Sequence, residues 1–378
     1  MNESIKRFEI SNFKKFDHLA VENIGQINLI TGDNNVGKTC LLEALVLEGD
    51  IKLNISYLIH FLYSRGFLID EKTKYNISDI DNNKKNNIVG LFQKEINKPI
   101  VFKLYKNNSV QEYKIYNEII DIVNSEDSKI KNFAKELEKY PEINSLSKNW
   151  ILFYSGEELK YMVDITSKYY QQFLSSANYV PLVTLNDFFR DDLIGIYNIA
   201  VNSLESKKAF IDTLNHVFPT DKIIDIQTRV LFGKDQLTVA TSRNSNFHSI
   251  TQYGSGFVRV IRVILEIMTG SSKCLMIDEI DTGVHFLKMK DLWVTIFRLV
   301  KQMGIQIFAS THSSDCIKAL MEAAEEYSEI KSGLRLIELE EFRSKSNVLV
   351  NKATTYEFEP LKFKLQTETN VRGGNVWQ

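Results

Sequence analysis

The stretch Gly32-Asp33-Asn34-Asn35-Val36-Gly37-Lys38-Thr39 holds the first residues whose types and spacing could do chemistry. Its glycines let the backbone curl so that main-chain amides point at phosphate oxygens. Lys38 then reaches the β and γ phosphates, and Thr39 offers a hydroxyl to magnesium. The candidate nucleotide-binding residues are Gly32, Asn34, Asn35, Val36, Gly37, Lys38, Thr39 and Cys40. Such a loop works only between a strand and a helix. Residues 26–31, with Ile27, Leu29 and Ile30 as the strand-forming bulk, supply the strand, and a helix is expected to start near Lys38.

A second constellation closes an apolar run, Cys274-Leu275-Met276-Ile277, with two carboxylates, Asp278 and Glu279. A buried parallel strand reads this way, its last residues emerging at the edge where ligands bind. Alone, an apolar strand followed by acids is common surface punctuation. Beside a phosphate loop, which needs a magnesium partner downstream, Asp278 becomes the candidate metal residue with Thr39. Glu279 becomes the candidate base that polarises an attacking water. Two further groups complete the set. Tyr253-Gly254-Ser255-Gly256 opens a helix expected over 257–268, so Ser255, Gly256 and the first free amides form a second anion site. That site cannot reach a phosphate already wrapped by its own chain's loop, which calls for a second subunit. His312 follows the strand expected over 305–310 and is a candidate γ-phosphate contact, although a lone histidine is more often structural. Ser313 or Ser314 suffices as a helix cap.

The elements that must position these groups follow from patterning. Strands are expected near 6–10, 19–21 and 26–31, and a hairpin over 99–116 turns at Lys106-Asn107-Asn108. Residues 119–218 read mainly as helix, with charged faces over 129–140 and 157–173 and a strand over 177–183. Strands return at 223–232 and 236–241 around Gly233-Lys234-Asp235. Alternating strand and helix from 257 to 325 implies βαβ units and a parallel sheet. Arg259, Arg262 and Glu266 form a narrow polar stripe on an apolar helix. The division is therefore 1–118 with the phosphate loop, an inserted helical lobe at 119–218, and 219–378 with the remaining motifs.

The 46 basic and 48 acidic residues nearly cancel, so any nucleic-acid contact must be local, with Lys14-Lys15, Lys84-Lys85 and Lys207-Lys208 as the basic spots. Residues 81–87, rich in Asn and Lys, read as a surface loop. Three scattered cysteines show no metal spacing and suit a reducing compartment. No run approaches the roughly 20 apolar residues of a membrane span, and the chain is expected to be cytoplasmic.

In this order the motifs resemble the ABC-type ATPase heads of the SMC, Rad50, RecF and OLD group. The likeness extends over residues 8–16 with the phosphate loop, and on through Asp278, Glu279 and Asp281 to His285 as far as His312. It implies an α/β head with a parallel core sheet, an antiparallel β subdomain and an inserted helical lobe. No sustained heptads occur between the loop and Ser255, so no long coiled coil is expected. The resemblance implies ATP and Mg2+ as ligands, Lys38, Glu279 and His312 as catalytic residues, and residues 253–256 as signature loop. It also implies a homodimer, or a higher oligomer built from dimers, around nucleotide. The Gly-x-Gly signature is similar to that of small bacterial ATPases of anti-phage systems such as Septu and PARIS. By that likeness the chain controls a separate effector, a nuclease or toxin. The alternative is a DNA-binding repair ATPase of RecF type, and a transporter subunit is the third reading.

Overall fold

The computed structural model describes residues 4–48, 57, 98–119, 149–164, 182–184, 193–231, 233–344, 347 and 349–367. Outside them lie the loop expected at 81–87, the charged helix at 129–140 and most of the strand at 177–183.

The chain opens with β1 (Ile5–Phe13) and β2 (Phe16–Val21), then β3 (Ile27–Gly32) and α1 (Lys38–Leu45). Two hairpins follow, β4 (Ile100–Lys106) with β5 (Ser109–Ile119), and β6 (Asn149–Ser155) with β7 (Glu158–Asp164). All but β3 join one antiparallel sheet in the order β2-β1-β4-β5-β6-β7. The helix expected over 157–173 is thereby corrected. Gly156 turns at φ +59° and Glu158–Asp164 pairs back on β6, while 165–173 fall outside the described residues. The charges of Glu158, Lys160 and Asp164 sit on a ladder instead, and Glu157, in the turn before them, bonds Lys114 of β5 at 2.6 Å.

After β8 (Leu182–Val183) come α2 (Leu193–Ala200), α3 (Leu204–Val217), the hairpin β9 (Ile223–Leu231) and β10 (Lys234–Thr241), and β11 (His248–Ser249). Lys234 pairs with Leu231, so the ladder takes in residues expected for the turn. The rest alternates: α4 (Ser255–Thr269), β12 (Cys274–Ile277), α5 (Phe286–Met303), β13 (Gln306–Ser310) and α6 (Ser314–Glu326). The hairpin β14 (Leu334–Arg343) and β15 (Leu349–Tyr356) and helix α7 (Phe358–Gln366) follow.

The second sheet runs β15-β14-β3-β13-β12-β8, parallel except for β15. Strands β3, β13, β12 and β8 are buried on both faces, and alternation divides the side chains of the sheet between two cores. Leu29, Leu275, Ile277, Ile307 and Leu336 join the core under α2 to α6. Ile30, Met276, Phe308 and Ile337 join the core under α1 and the antiparallel sheet. Burial of each such side chain contributes about 1.5–3 kcal/mol, so this strand set is rigid and every loop at its carboxyl edge is anchored. Among the described residues no helix is long and apolar enough to cross a membrane.

Candidate nucleotide site

The carboxyl edge of the parallel sheet collects the candidate residues. Gly32 ends β3 at φ +142°, and a Cβ there would meet the Leu339 carbonyl oxygen at 2.4 Å, so the loop can leave the sheet only through glycine. Gly37 caps α1 at φ +111° under the ring of Phe16, 2.7 Å from a built Cβ. Between them Lys38 turns back into the loop, donating to the Gly32 and Asp33 carbonyls at 2.8 Å each. Lys15 donates to the Asn35 carbonyl and pairs with Glu341 at 2.9 Å, while Lys14 pairs with buried Glu43 of α1. The β1–β2 turn thus clamps the phosphate loop. Cys40, half-buried, lies in the first turn of α1.

Beside α1, Thr39 Oγ1 donates to Asp278 Oδ2 at 2.9 Å, and Ser310 Oγ donates to Asp278 Oδ1 at 2.6 Å. The register of β12 on β13, Ile277 opposite Ala309, carries Asp278 to Ser310. Glu279 follows at φ +49°, its amide donating to Ser310 Oγ at 2.8 Å and its Oε2 accepting from Thr282 at 3.0 Å. A left-handed non-glycine residue is uncommon and persists where surroundings over-determine it. Thr311 donates to Asp281 at 2.6 Å, tying the turn after Glu279 to the strand end that bears His312. His312 is exposed and lines a cavity of about 310 Å³ with Thr31, Gly32, Asp33, Asn34 and Ile317.

Ser255 and Gly256 border a different cavity, of about 420 Å³, with Tyr253, Gly283, His285 and Lys288, and no residue from Gly32 to Cys40 borders it. Gly256 is required there, because a Cβ would fall 1.7 Å from the Gly283 carbonyl oxygen. The polar stripe of α4 departs from expectation: Arg259, Arg262 and Glu266 are all buried, Arg262 reaching Glu266 at 3.2 Å. Arg259 donates to the main-chain carbonyls of Asp278 and, at 2.9 Å, Glu279.

No protein-family model matches the chain. An ATP/GTP phosphatase of Helicobacter pylori is 24% identical over 363 residues, covering 85% of this chain and 89% of that one. The DNA replication and repair protein RecF of Idiomarina loihiensis is 47% identical over 45 residues, 12% of this chain and 13% of its own. The structure of an SMC head bound to the C-winged helix domain of ScpA superposes with a TM-score of 0.53 at 12% identity, covering 95% of this chain and 99% of that one. The fold is that of an SMC head.

Within the SMC-head fold, sequence reasoning overlooked Ser310, Arg259 and Phe16 as parts of the site. Ser310 is visible only through strand register, and Arg259 looked like an outward residue. Phe16 has a signal in hindsight, an aromatic directly after the Lys14-Lys15 turn of a hairpin that precedes the loop. The thiols of Cys274 and Cys316 are buried, and burial pushes Cys316 up to about 12, which suits inert core cysteines.

Burial lowers the Lys38 ammonium from 10.5 to about 8, against the opposing pull of Asp278, Asp33 and Glu279. A bound polyphosphate favours the charged form, so binding above pH 8 takes up a proton. The affinity of the loop for a nucleotide is therefore expected to be full below about pH 8 and to fall by up to about one decade per pH unit above it. Titration calorimetry at pH 8.5 in buffers of different ionisation heat will register that uptake; affinity unchanged from pH 7 to 9.5 counts against it. The folded-state value lies below the unfolded one, so the same group makes unliganded stability rise with pH between about 8 and 10.5.

Proposed function

We propose that the chain is an ATP-hydrolysing head that dimerises around nucleotide, each phosphate loop facing the Ser255–Gly256 loop of the other copy. The observation carrying this reading is the convergence of Lys38, Thr39, Asp278, Glu279 and Ser310 at one sheet edge, with the signature residues bordering a separate cavity. The Helicobacter pylori relative, named an ATP/GTP phosphatase, supports it across most of both chains.

In this mechanism amides from Gly32 to Cys40 and the Lys38 ammonium hold the phosphates. The Thr39 hydroxyl and the Asp278 carboxylate, 2.9 Å apart, are an oxygen pair that would hold Mg2+. When bound, that ion neutralises charge on the β and γ oxygens. Ser310 fixes the second oxygen of Asp278 and the main-chain amide of Glu279, so one hydroxyl ties the first carboxylate to the backbone of the second, whose own carboxylate is held by Thr282. Glu279 polarises the water, and Lys38, His312 and the partner's signature amides stabilise charge gathering on the γ-phosphate.

We assign the dimer a switching role over a separate effector, a nuclease or toxin, in bacterial anti-phage defence; the Gly-x-Gly signature and its likeness to the Septu and PARIS ATPases support that assignment. The second reading, a RecF-type DNA-binding ATPase, is favoured by the short match to RecF. Against it, Lys14, Lys15 and Lys207 are engaged in ion pairs with Glu43, Glu341 and Asp225, and Lys84-Lys85 lie outside the described residues. Filter binding with a salt titration separates the two, since phosphate-backbone contacts weaken steeply with salt.

Glu279→Gln is the direct test of hydrolysis. It is expected to bind ATP and Mg2+ as the parent does and to turn over about 10²–10⁴-fold more slowly, the usual worth of a general base. Wild-type turnover in that variant makes Glu279 a bystander.

A further inference from the structure

We propose that Arg259 is a positioning residue, tying the signature loop to the backbone of Glu279 and holding that residue in the conformation from which its carboxylate meets water. The inference rests on the water-activating reading of Glu279 given above.

Arg259 sits one helical turn after Ser255 on α4 and is 2% exposed. Burying a guanidinium costs several kcal/mol unless strong acceptors repay it, and a helix needing only bulk there would carry Leu or Met. Its Nη2 instead donates to two successive carbonyls, those of Asp278 and Glu279. Successive carbonyls of a strand point to opposite sides. Here Glu279 turns out of the strand at φ +49°, and both oxygens come within reach of a single nitrogen. The guanidinium and the left-handed turn therefore require each other. Ser310 Oγ holds the amide of the same residue at 2.8 Å and Thr282 its carboxylate at 3.0 Å, so Glu279 is fixed at amide, carbonyl and side chain.

The tie has a second strand. Gly256 packs on Gly283, so tightly that a Cβ on Gly256 would fall 1.7 Å from the Gly283 carbonyl oxygen. Two consecutive turns of α4 thus grip the segment from 278 to 283, one by van der Waals contact and one by hydrogen bonds. Any shift of the signature loop on meeting a phosphate is passed along a rigid helix to the carbonyl of Glu279.

Arg259→Lys keeps charge and length but loses the planar donor group, and Arg259→Met removes the charge. Both are made in the wild-type and Glu279→Gln chains, with thermal midpoint, ATP affinity and turnover measured for each. The expected result is ATP affinity within about two-fold of parent and turnover reduced by up to about 10²-fold, the cost of a misplaced catalytic group. In the Glu279→Gln background the same substitutions should leave the residual turnover unchanged, because the group they misplace is gone. A further loss of similar size in that background, or parental turnover in Arg259→Lys and Arg259→Met alike, overturns the proposal. Turnover of the Glu279→Gln parent tests the water-activating reading separately, before Arg259 is touched. If Arg259→Met does not fold, Arg259→Lys alone decides the question.

Discussion

Lys38→Ala is expected to lower ATP affinity by about 10²- to 10⁴-fold, the loss of two charge-assisted hydrogen bonds at about 1.5–3 kcal/mol each. The ammonium is buried and now satisfied by the Gly32 and Asp33 carbonyls, so phosphate oxygens would replace existing acceptors without drawing the side chain through water. The fold should tolerate the change. Burial already disfavours the charged lysine, as its lowering to about 8 records, and its removal relieves that cost. Equilibrium binding of a fluorescent ATP analogue, with a thermal melt as control, measures both; parental affinity would remove the phosphate-loop assignment.

The second large effect is recovery of activity from two inactive chains. Lys38→Ala lacks a working loop, and Ser255→Arg places a bulky side chain at an exposed signature position while leaving the loop intact. In a heterodimer one composite site pairs an intact loop with an intact signature, and the other has neither. Random pairing in an equal mixture makes about half the dimers mixed, each with one working site, so about a quarter of wild-type turnover is expected from two chains each near zero. Light scattering of Glu279→Gln with ATP should show doubled mass, and addition of Ser255→Arg should abolish it. A mixture no more active than its parts places the whole site within one chain.

How far the sequence could be read depended on where each signal resides. The strand Cys274–Ile277 matched its expected bounds, and α4, α5 and α6 began or ended within two residues of expectation, because apolar runs and flanking glycines are local signals. Residues 149–164 misled. Trp150-Ile151-Leu152-Phe153-Tyr154 is a strand run before a glycine turn, but the charges after it were given helical period where a ladder of cross-strand pairs uses them. Arg259 misled for a related reason, since a polar residue on an amphipathic helix is ordinarily assigned to water. Its acceptors are two main-chain carbonyls, which leave no trace in residue types. Ser310 shows the same limit: its duty follows from the pairing of β12 with β13, a non-local fact.

The place of β3 in the parallel sheet also governs how the protein is made. β3 lies between β13 and β14, so its neighbours come from residues 306–310 and 334–343, nearly the whole chain downstream. At about 5–20 residues per second, the strand that carries the phosphate loop waits roughly 15–60 s on the ribosome for the strands that flank it. The β1–β2 hairpin and β4 can pair long before that, and Phe16 of this early piece is the residue that packs on Gly37. A nascent chain therefore holds its loop against a finished hairpin but cannot grip nucleotide. A nucleotide held by the loop would therefore stabilise only chains whose translation has passed β14.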